Sequence, residues 1–390
     1  MITVNEALEQ LFALVRPLGT EDVPLAQALG RVMAVDAVAK RTQPPFAASA
    51  MDGYGVRADE VAVGAKFKII GESAAGHGFE GSVGPGQAVR IFTGAPVPEG
   101  VDFVVIQEDV DRFVDTITID QDPGQNANIR PAGNDFSEGF TLSAPRLLAP
   151  NDIALLASMN IPTVTVARKP DIALISTGDE LVMPGDTPGP DQIIVSNTFG
   201  LKALFDQAGA TARILPIAKD NPASIEMAFD LAQGADLVVT IGGASVGDHD
   251  LVGAVAHQLG LQQSFYKVKM RPGKPLMAGR MGDAVMVGLP GNPVSAMVCG
   301  HVFVLPMIRA MLGFAPGSRE RLSAPLAADI PANGPREHYM RGRVENGRIT
   351  VFNRQDSSLL SVMSEANALI VRPPEDGPRK VGDCVDYLPI

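Results

Sequence analysis

At 390 residues the chain exceeds what one ordinary hydrophobic core organises, so about two to four domains are expected. A hydrophobic content of 46%, a mean hydropathy of +0.13 and no apolar run reaching the roughly 18 residues of a spanning helix describe a globular protein and exclude a membrane one. A net charge of −12 excludes a general nucleic-acid binder, two cysteines exclude a disulfide framework, and an N-terminus with Glu6, Glu9 and no cleavable signal pattern points to the cytoplasm.

The first element reads as a helix. Thr3 and Glu6 have capping-box spacing, Leu8, Leu11, Phe12 and Val15 form an apolar stripe, and Pro17 and Gly19 stop it. A shorter helix is expected over Leu25–Leu29, ended by Gly30. From about residue 45 to 145 glycine is dense and helical periodicity fades. Short β-rich runs appear at Lys66–Ile70, Ala88–Phe92, Phe103–Gln107 and Thr116–Ile119, the pattern of a small β domain with long loops.

Near residue 170 strands begin to alternate with helices. Asp171–Thr177 is a buried strand that runs into Gly178-Asp179-Glu180. Ser196 or Asn197 caps a helix with the face Leu201, Leu204, Phe205 and Ala208, stopped by Gly209. Thr211–Ile217 is a strand, and Asn221-Pro222 opens a helix with the face Ile225, Phe229 and Ala232. Strands follow at Leu237–Ile241 and Ala284–Gly288, then Asn292-Pro293 opens a long apolar helix to about Leu312 in which Cys299 is a core residue. This alternation defines a doubly wound α/β domain, whose ligands bind at the carboxyl ends of the strands. From about 320 the chain is β-rich again, with Asn346-Gly347 as the type I′ turn of a hairpin over Val344–Val351. A small barrel or sandwich is expected there.

The stretch from Asp236 to Asp250 carries the most chemistry. A buried strand enters a loop in which Gly242, Gly243 and Gly247 allow close approach of a ligand, and Asp248 and Asp250 sit near a helix start. The candidate metal ligands Asp52, Glu180, Asp220, Asp248 and Asp250 are all oxygen donors, which suit Mg²⁺ shared with substrate phosphates. The five histidines are scattered without zinc spacing, and His249 reads as a loop-surface residue. One basic cluster, Lys267, Lys269, Arg271, Lys274 and Arg280, is broken by Pro272, Gly273 and Pro275 into a shaped loop. It reads with equal weight as a solvated strand face or as a pocket for a small polyanion. Thr93 and Asp52, each followed by glycine, read on local evidence as turn residues ahead of functional ones. Asn292 in Pro290-Gly-Asn-Pro293 is expected to cap its helix, which is compatible with anion binding there. No nucleophile elbow, Walker A or dinucleotide fingerprint is present. Residue chemistry therefore stops at a magnesium-dependent enzyme acting on a small phosphorylated or nucleotidyl substrate.

Seven stretches in register take the reading further: Ser49-Ala-Met-Asp-Gly-Tyr54, Thr93-Gly-Ala-Pro-Val-Pro98, Asn128-Ile-Arg-Pro-Ala-Gly-Asn-Asp135, Ser176-Thr-Gly-Asp-Glu-Leu181, Gly242-Gly-Ala-Ser-Val-Gly247, Arg271-Pro-Gly-Lys-Pro275 and Gly288-Leu-Pro-Gly-Asn-Pro293. Together they resemble the molybdopterin molybdenumtransferase family, the MoeA-type family that includes the E domain of gephyrin. The resemblance implies an elongated, multidomain α/β plus β fold: a helical and extended linker domain at 1–44 with 137–168, a β-rich domain at 45–136, an α/β molybdopterin-binding domain at 169–318 and a small β-barrel at 319–390. It implies insertion of molybdenum from molybdate into adenylylated molybdopterin, with Mg²⁺-dependent release of AMP. By motif position, Asp52, Thr93, Glu180, Asp220 and Asp250 would be catalytic, the last three also at the metal. Asp135, Ser245, Lys267, Arg271, Lys274, Pro290, Pro293 and Arg341 would bind substrate or shape its pocket. Arg271 stands where many members carry lysine, which keeps the charge but offers a planar fork to an oxyanion. The implied assembly is a homodimer in which Asp52, Thr93 and Asp135 face the α/β site of the other subunit. The molybdopterin adenylyltransferase and recipient apo-molybdoenzymes are the implied partners.

Two other readings compete. The adenylyltransferase that makes the adenylylated substrate shares the glycine-rich α/β motifs but lacks the extra β domains, and ATP-dependent adenylylation would identify it. A partner-binding scaffold is the non-enzymatic rival, identified by full function after loss of Asp220 or Asp250.

Overall fold

The computed structural model describes residues 1–243 and 251–390, and its chain forms two compact units. One comprises Met1–Glu21, Gly30–Ala34 and Val166–Ile390, the other Asp22–Leu29 and Val35–Thr165. Helix α1, Val4–Leu14, belongs to the first. The Thr3 hydroxyl accepts from the Glu6 amide and the Glu6 carboxylate accepts from the Thr3 amide, which is the capping box expected from the sequence. Val4, Ala7, Leu8 and Leu11 are its buried face.

The second unit holds strands β1 (Ala48–Ser49), β2 (Gly53–Val56), β3 (Lys66–Ser73), β4 (Gln87–Ile91), β5 (Phe103–Ile106), β6 (Val110–Phe113), β7 (Thr116–Ile119) and β8 (Ile129–Arg130). Six of them form a sheet in the order β5-β2-β4-β3-β7-β6, and β1 pairs with β8. Tyr54, Val56, Phe67, Phe103, Val105 and Ile117 fill its core. Strand β2 escapes a propensity reading because two of its four residues are glycine. Packing requires one of them: a Cβ on Gly53 would lie 2.0 Å from the Val105 carbonyl oxygen. The helix expected at Leu25–Leu29 is only a single 3-10 turn, Leu25–Gln27. A turn this short closes too few hydrogen bonds to repay its nucleation as an α-helix.

The first unit contains β9 (Asp171–Ser176), α2 (Asn197–Gln207), β10 (Thr211–Ile214), α3 (Pro222–Leu231), β11 (Leu237–Ile241), α4 (Leu251–Gln258), β12 (Gln262–Tyr266), β13 (Met270–Arg271), β14 (Met277–Met281), β15 (Ala284–Leu289), α5 (Pro293–Cys299) and α6 (Leu305–Met311). The sheet order is β10-β9-β11-β15-β14-β12; the first four strands are parallel, β14 runs against them and β12 runs against β14. Alternate residues serve opposite faces. Ile172, Leu174, Leu237 and Val239 join the core with α1, α2, α5 and α6, whereas Ala173, Ile175 and Val238 pack with α3 and α4. This is the doubly wound arrangement expected from the sequence.

A π turn over Gly300–Val304 joins α5 to α6. Pro306 follows, lacking the amide an α-helix needs, so the ladder widens there. The continuous helix Pro293–Met311 is 19 residues with mean hydropathy 1.6, long and apolar enough to span a membrane by composition, contrary to the sequence expectation. Its apolar window is 83% buried within the protein, which makes it a core helix.

The same unit ends in β16 (Leu322–Pro325), β17 (Glu337–Glu345), β18 (Arg348–Val351), α7 (Leu360–Glu365), β19 (Ala368–Arg372) and β20 (Cys384–Pro389). Strands run β13-β17-β19-β20-β16, with β18 also on β17. The sheet curls until Leu326 bridges Ile349, and the Ala327 amide donates to the Ile349 carbonyl at 2.9 Å. Ala324, Leu326, Ile349, Ile370 and Val385 fill the resulting small barrel. Asn346 and Gly347, with φ of 50° and 73°, make the expected type I′ turn.

Candidate active site

Strands β9, β11 and β15 end together, and their following loops line one pocket of about 830 Å³. Thr177, Gly178 and Glu180 come from the first, Gly242 and Gly243 from the second, and Pro290, Asn292 and Pro293 from the third. Asp220 enters from the loop after β10, and Asn197 and Ser358 complete the wall. Glu180, Asp220, Pro290 and Pro293 are thus brought together from three separate segments. Gly242 has a φ of 92°, and a Cβ there would lie 2.9 Å from the Thr177 carbonyl oxygen. Only glycine lets these two loops close to that distance. Ser245 and Asp250, with Gly247, Asp248 and His249, lie outside the described residues.

Two features of the pocket bear on its chemistry. The Glu180 and Asp220 side chains are exposed to it and make no ion pair within the described residues. The hydroxyls of Ser176 and Thr177 are buried without a hydrogen-bond partner among the described residues. Polar atoms kept dry and unpaired are stabilised when a ligand supplies the partner. No cluster of three or more metal-ligating side chains occurs among the described residues. Two carboxylates remain enough for Mg²⁺, which commonly takes one or two from protein and the rest from phosphate and water.

The basic loop spans Lys267–Pro275. Its ends are tied by the Val268 amide to the Lys274 carbonyl at 3.0 Å and the Lys267 amide to the Leu276 carbonyl at 2.9 Å. Arg271 and Lys274 are exposed, and Lys267 holds an uncommon φ of 71° with its ammonium 4.9 Å from the Tyr266 ring centre. Pro275 lines the pocket, whereas Lys267, Arg271 and Lys274 are not among its lining residues. Arg271 pairs across β13–β17 with His338, whose imidazole is lowered to about 4 by burial and then by Arg271, Arg341, Arg336 and Arg372. Arg280 leaves the cluster altogether. It sits opposite Val285, at the other end of the sheet, and donates to the Leu14 carbonyl.

Arg341 is fully buried. Its guanidinium donates to the Asp356 carbonyl at 2.7 Å and to the Gln355 side-chain oxygen at 3.2 and 3.3 Å. It therefore shapes the segment that presents Ser358 to the pocket. Asp356 accepts from both the amide and the hydroxyl of Ser358, which holds its carboxyl below the usual range. Ser358 was not singled out from sequence, and Asn197 only as a candidate helix cap. The polar run Gln355-Asp356-Ser357-Ser358 after the hairpin was the only local signal.

In the other unit, three motif segments converge on β1. The Ser49 amide donates to the Ala95 carbonyl and the Gly94 amide to the Ser49 carbonyl, while Ile129 and Arg130 pair with Ser49 and Ala48. Asp52 thereby meets Thr93, whose amide and hydroxyl donate to its carboxylate at 2.7 and 2.8 Å. These bonds, the amide first, hold the Asp52 carboxyl below its ordinary range, with Arg90 assisting. Asp135 is exposed on the turn after β8, where its amide donates to the Gln43 carbonyl at 3.0 Å. The structure thus joins Asp52 to Thr93 directly and links Asp135 to them only through the backbone of β1 and β8.

A doubly wound domain with a ligand pocket at its strand ends, joined to a β-rich unit and a small barrel, is the architecture of MoeA-type molybdopterin-binding proteins. Residues 2–160 match the MoeA N-terminal region (domain I and II), 173–310 the probable molybdopterin binding domain and 323–390 the MoeA C-terminal region (domain IV). The chain is 36% identical to a molybdopterin molybdenumtransferase of Haemophilus influenzae, covering 100% of this chain and 98% of that protein. It is 34% identical to one from Nostoc sp., covering 96% and 90%. A crystal structure of a molybdopterin biosynthesis moeA protein from Pyrococcus horikoshii OT3 superposes with a TM-score of 0.86 at 26% identity over 100% of both chains. The chain belongs to the molybdopterin molybdenumtransferase family, a family of enzymes.

Proposed function

We propose that this protein inserts molybdenum from molybdate into adenylylated molybdopterin and releases AMP in a Mg²⁺-dependent step, late in molybdenum cofactor biosynthesis. The observation that carries the reading is the convergence of Glu180, Asp220 and the Ser176 and Thr177 hydroxyls, which have no partner among the described residues, in one pocket at the ends of parallel strands. Glu180 and Asp220 would hold Mg²⁺, which when bound offsets phosphate charge. The Ser176 and Thr177 hydroxyls would hydrogen-bond the substrate, and the wall formed by Pro290–Pro293 would orient it. Lys267, Arg271 and Lys274 supply positive charge for molybdate, an anion otherwise repelled by a chain of net charge −12. No covalent nucleophile is invoked; positioning and electrostatics carry the step.

The test is AMP release from adenylylated molybdopterin with and without molybdate and Mg²⁺. Release that needs both, accompanied by active cofactor, is expected. ATP consumption with molybdopterin would instead identify the adenylylating step, and no turnover at all would favour a scaffold. The reading also includes a cytoplasmic homodimer in which Asp52, Thr93 and Asp135 serve the pocket of the partner copy. Mixing Asp52→Asn with Asp220→Asn subunits is expected to restore about a quarter of wild-type activity by random reassortment. No recovery in verified mixed dimers would refute the sharing.

A further inference from the structure

We propose that Arg90 is a positioning residue for Asp52, a rigid clamp that fixes the turn carrying that carboxylate. The inference rests on the reading of Asp52 as a site residue. Arg90 is on β4, opposite Tyr54 of β2 and two residues before Phe92 on the same face. Its guanidinium carbon lies 5.0 Å from the Tyr54 ring centre and 4.7 Å from that of Phe92, so two aromatic rings hold it. The edges are used as well. One terminal nitrogen donates to the Gly53 carbonyl at 3.1 Å, the other to the Gln107 side-chain oxygen at 2.6 Å. Gln107 in turn donates its amide to the Asp52 carbonyl at 3.0 Å.

The carbonyls of Asp52 and Gly53 are therefore both tied to one Arg90–Gln107 unit, while Thr93 holds the Asp52 side chain. Arg90 forms no ion pair among the described residues, although Glu72 lies across from it on β3 and Glu108 accepts from the Gln107 side chain at 3.1 Å. Its charge assists the two Thr93 bonds, which come first, in holding the Asp52 carboxyl low. A lysine could supply charge but neither the fork nor the stacking plane.

The experiment compares full-length Arg90→Lys and Arg90→Met with wild type. Thermal unfolding, kcat and KM for AMP release, and the NMR titration of the Asp52 carboxyl are measured. Arg90→Lys is expected to fold and to lower kcat about 10- to 100-fold with little change in KM, whereas Arg90→Met, which removes the charge, is expected also to shift the Asp52 titration upward. Folded Arg90→Lys with wild-type kcat would overturn the proposal. If Arg90→Met fails to fold, Gln107→Leu removes the side-chain oxygen that accepts from Arg90, leaves the backbone bond from residue 107 to the Asp52 carbonyl in place, and is read by the same kcat and KM comparison. Should Asp52→Asn retain full activity, the reading of Asp52 itself fails. The titration then still reports whether Arg90 governs that carboxylate.

Discussion

Asp52 and Thr93 are 41 residues apart in sequence, yet the amide and the hydroxyl of Thr93 both donate to the same oxygen of Asp52. Thr93→Val removes only the hydroxyl and is expected to lower turnover about tenfold, whereas Asp52→Asn lowers it about 100-fold or more. The Asp52 titration rises in Thr93→Val because a donor to the charged form is gone. Equal activity for Thr93→Val and wild type would make the pair an ordinary turn.

Glu180→Gln and Asp220→Asn are expected to abolish turnover while leaving the unfolding midpoint nearly unchanged. Both side chains are exposed, so stability should move by no more than about 0.5 kcal/mol. Isothermal titration of each variant with Mg²⁺ and AMP separates metal loss from other effects. A large drop in melting temperature would show the carboxylates to be structural.

The barrel carries its own acid-sensitive joint. Asp376 accepts from the buried Arg372 and from Arg379, at 2.7 Å in the latter case. Burial alone would raise its carboxyl, but Arg379 and Arg372 outweigh burial and hold it lowered. Its folded-state value is thus below its unfolded one. Its stabilisation is complete above about pH 4 and is lost as pH falls through the depressed folded value. Asp376→Ala should cost about 3–5 kcal/mol at pH 7 by leaving the buried Arg372 charge with only the carbonyls of Pro331, Asp376 and Gly377 to accept from it, and the gap to wild type should shrink on acidification. Urea titrations at pH 7 and pH 3 check this; a gap independent of pH would refute it.

Asn221 and Asn292 both precede a proline at a helix start, but only Asn221 caps with its side chain, accepting from the Ser224 amide at 2.9 Å. Asn221→Ala should cost about 1 kcal/mol and Asn292→Ala much less. Equal losses in urea midpoint would contradict the difference. The cap expected at Asn292 from sequence is therefore positional only. Its carbonyl accepts from the Ala296 amide at 3.0 Å, and the residue lines the pocket.

The sequence by itself determined what depends on local pattern. Thr3 and Glu6 are three apart and form their box, Leu237–Ile241 is a strand with the bounds its β-branching implied, and Asn346-Gly347 turns as only φ > 0 residues do. The motif order was enough to name the family, because seven short segments in register are improbable by chance. What only the tertiary structure decided is which of those segments meet. Arg280 leaves the basic cluster because β14 runs antiparallel and carries it to the far end of the sheet. Arg341 is spent on Gln355 and Asp356 because β17 buries it, and Ser358 reaches the pocket for the same reason. Gly53 follows a residue that reads as a turn, yet it opens a strand, where the Val105 carbonyl leaves no room for a side chain. Local pattern is set by neighbours within a few residues, whereas a site is set by strand direction and close packing, which join residues that no short window contains.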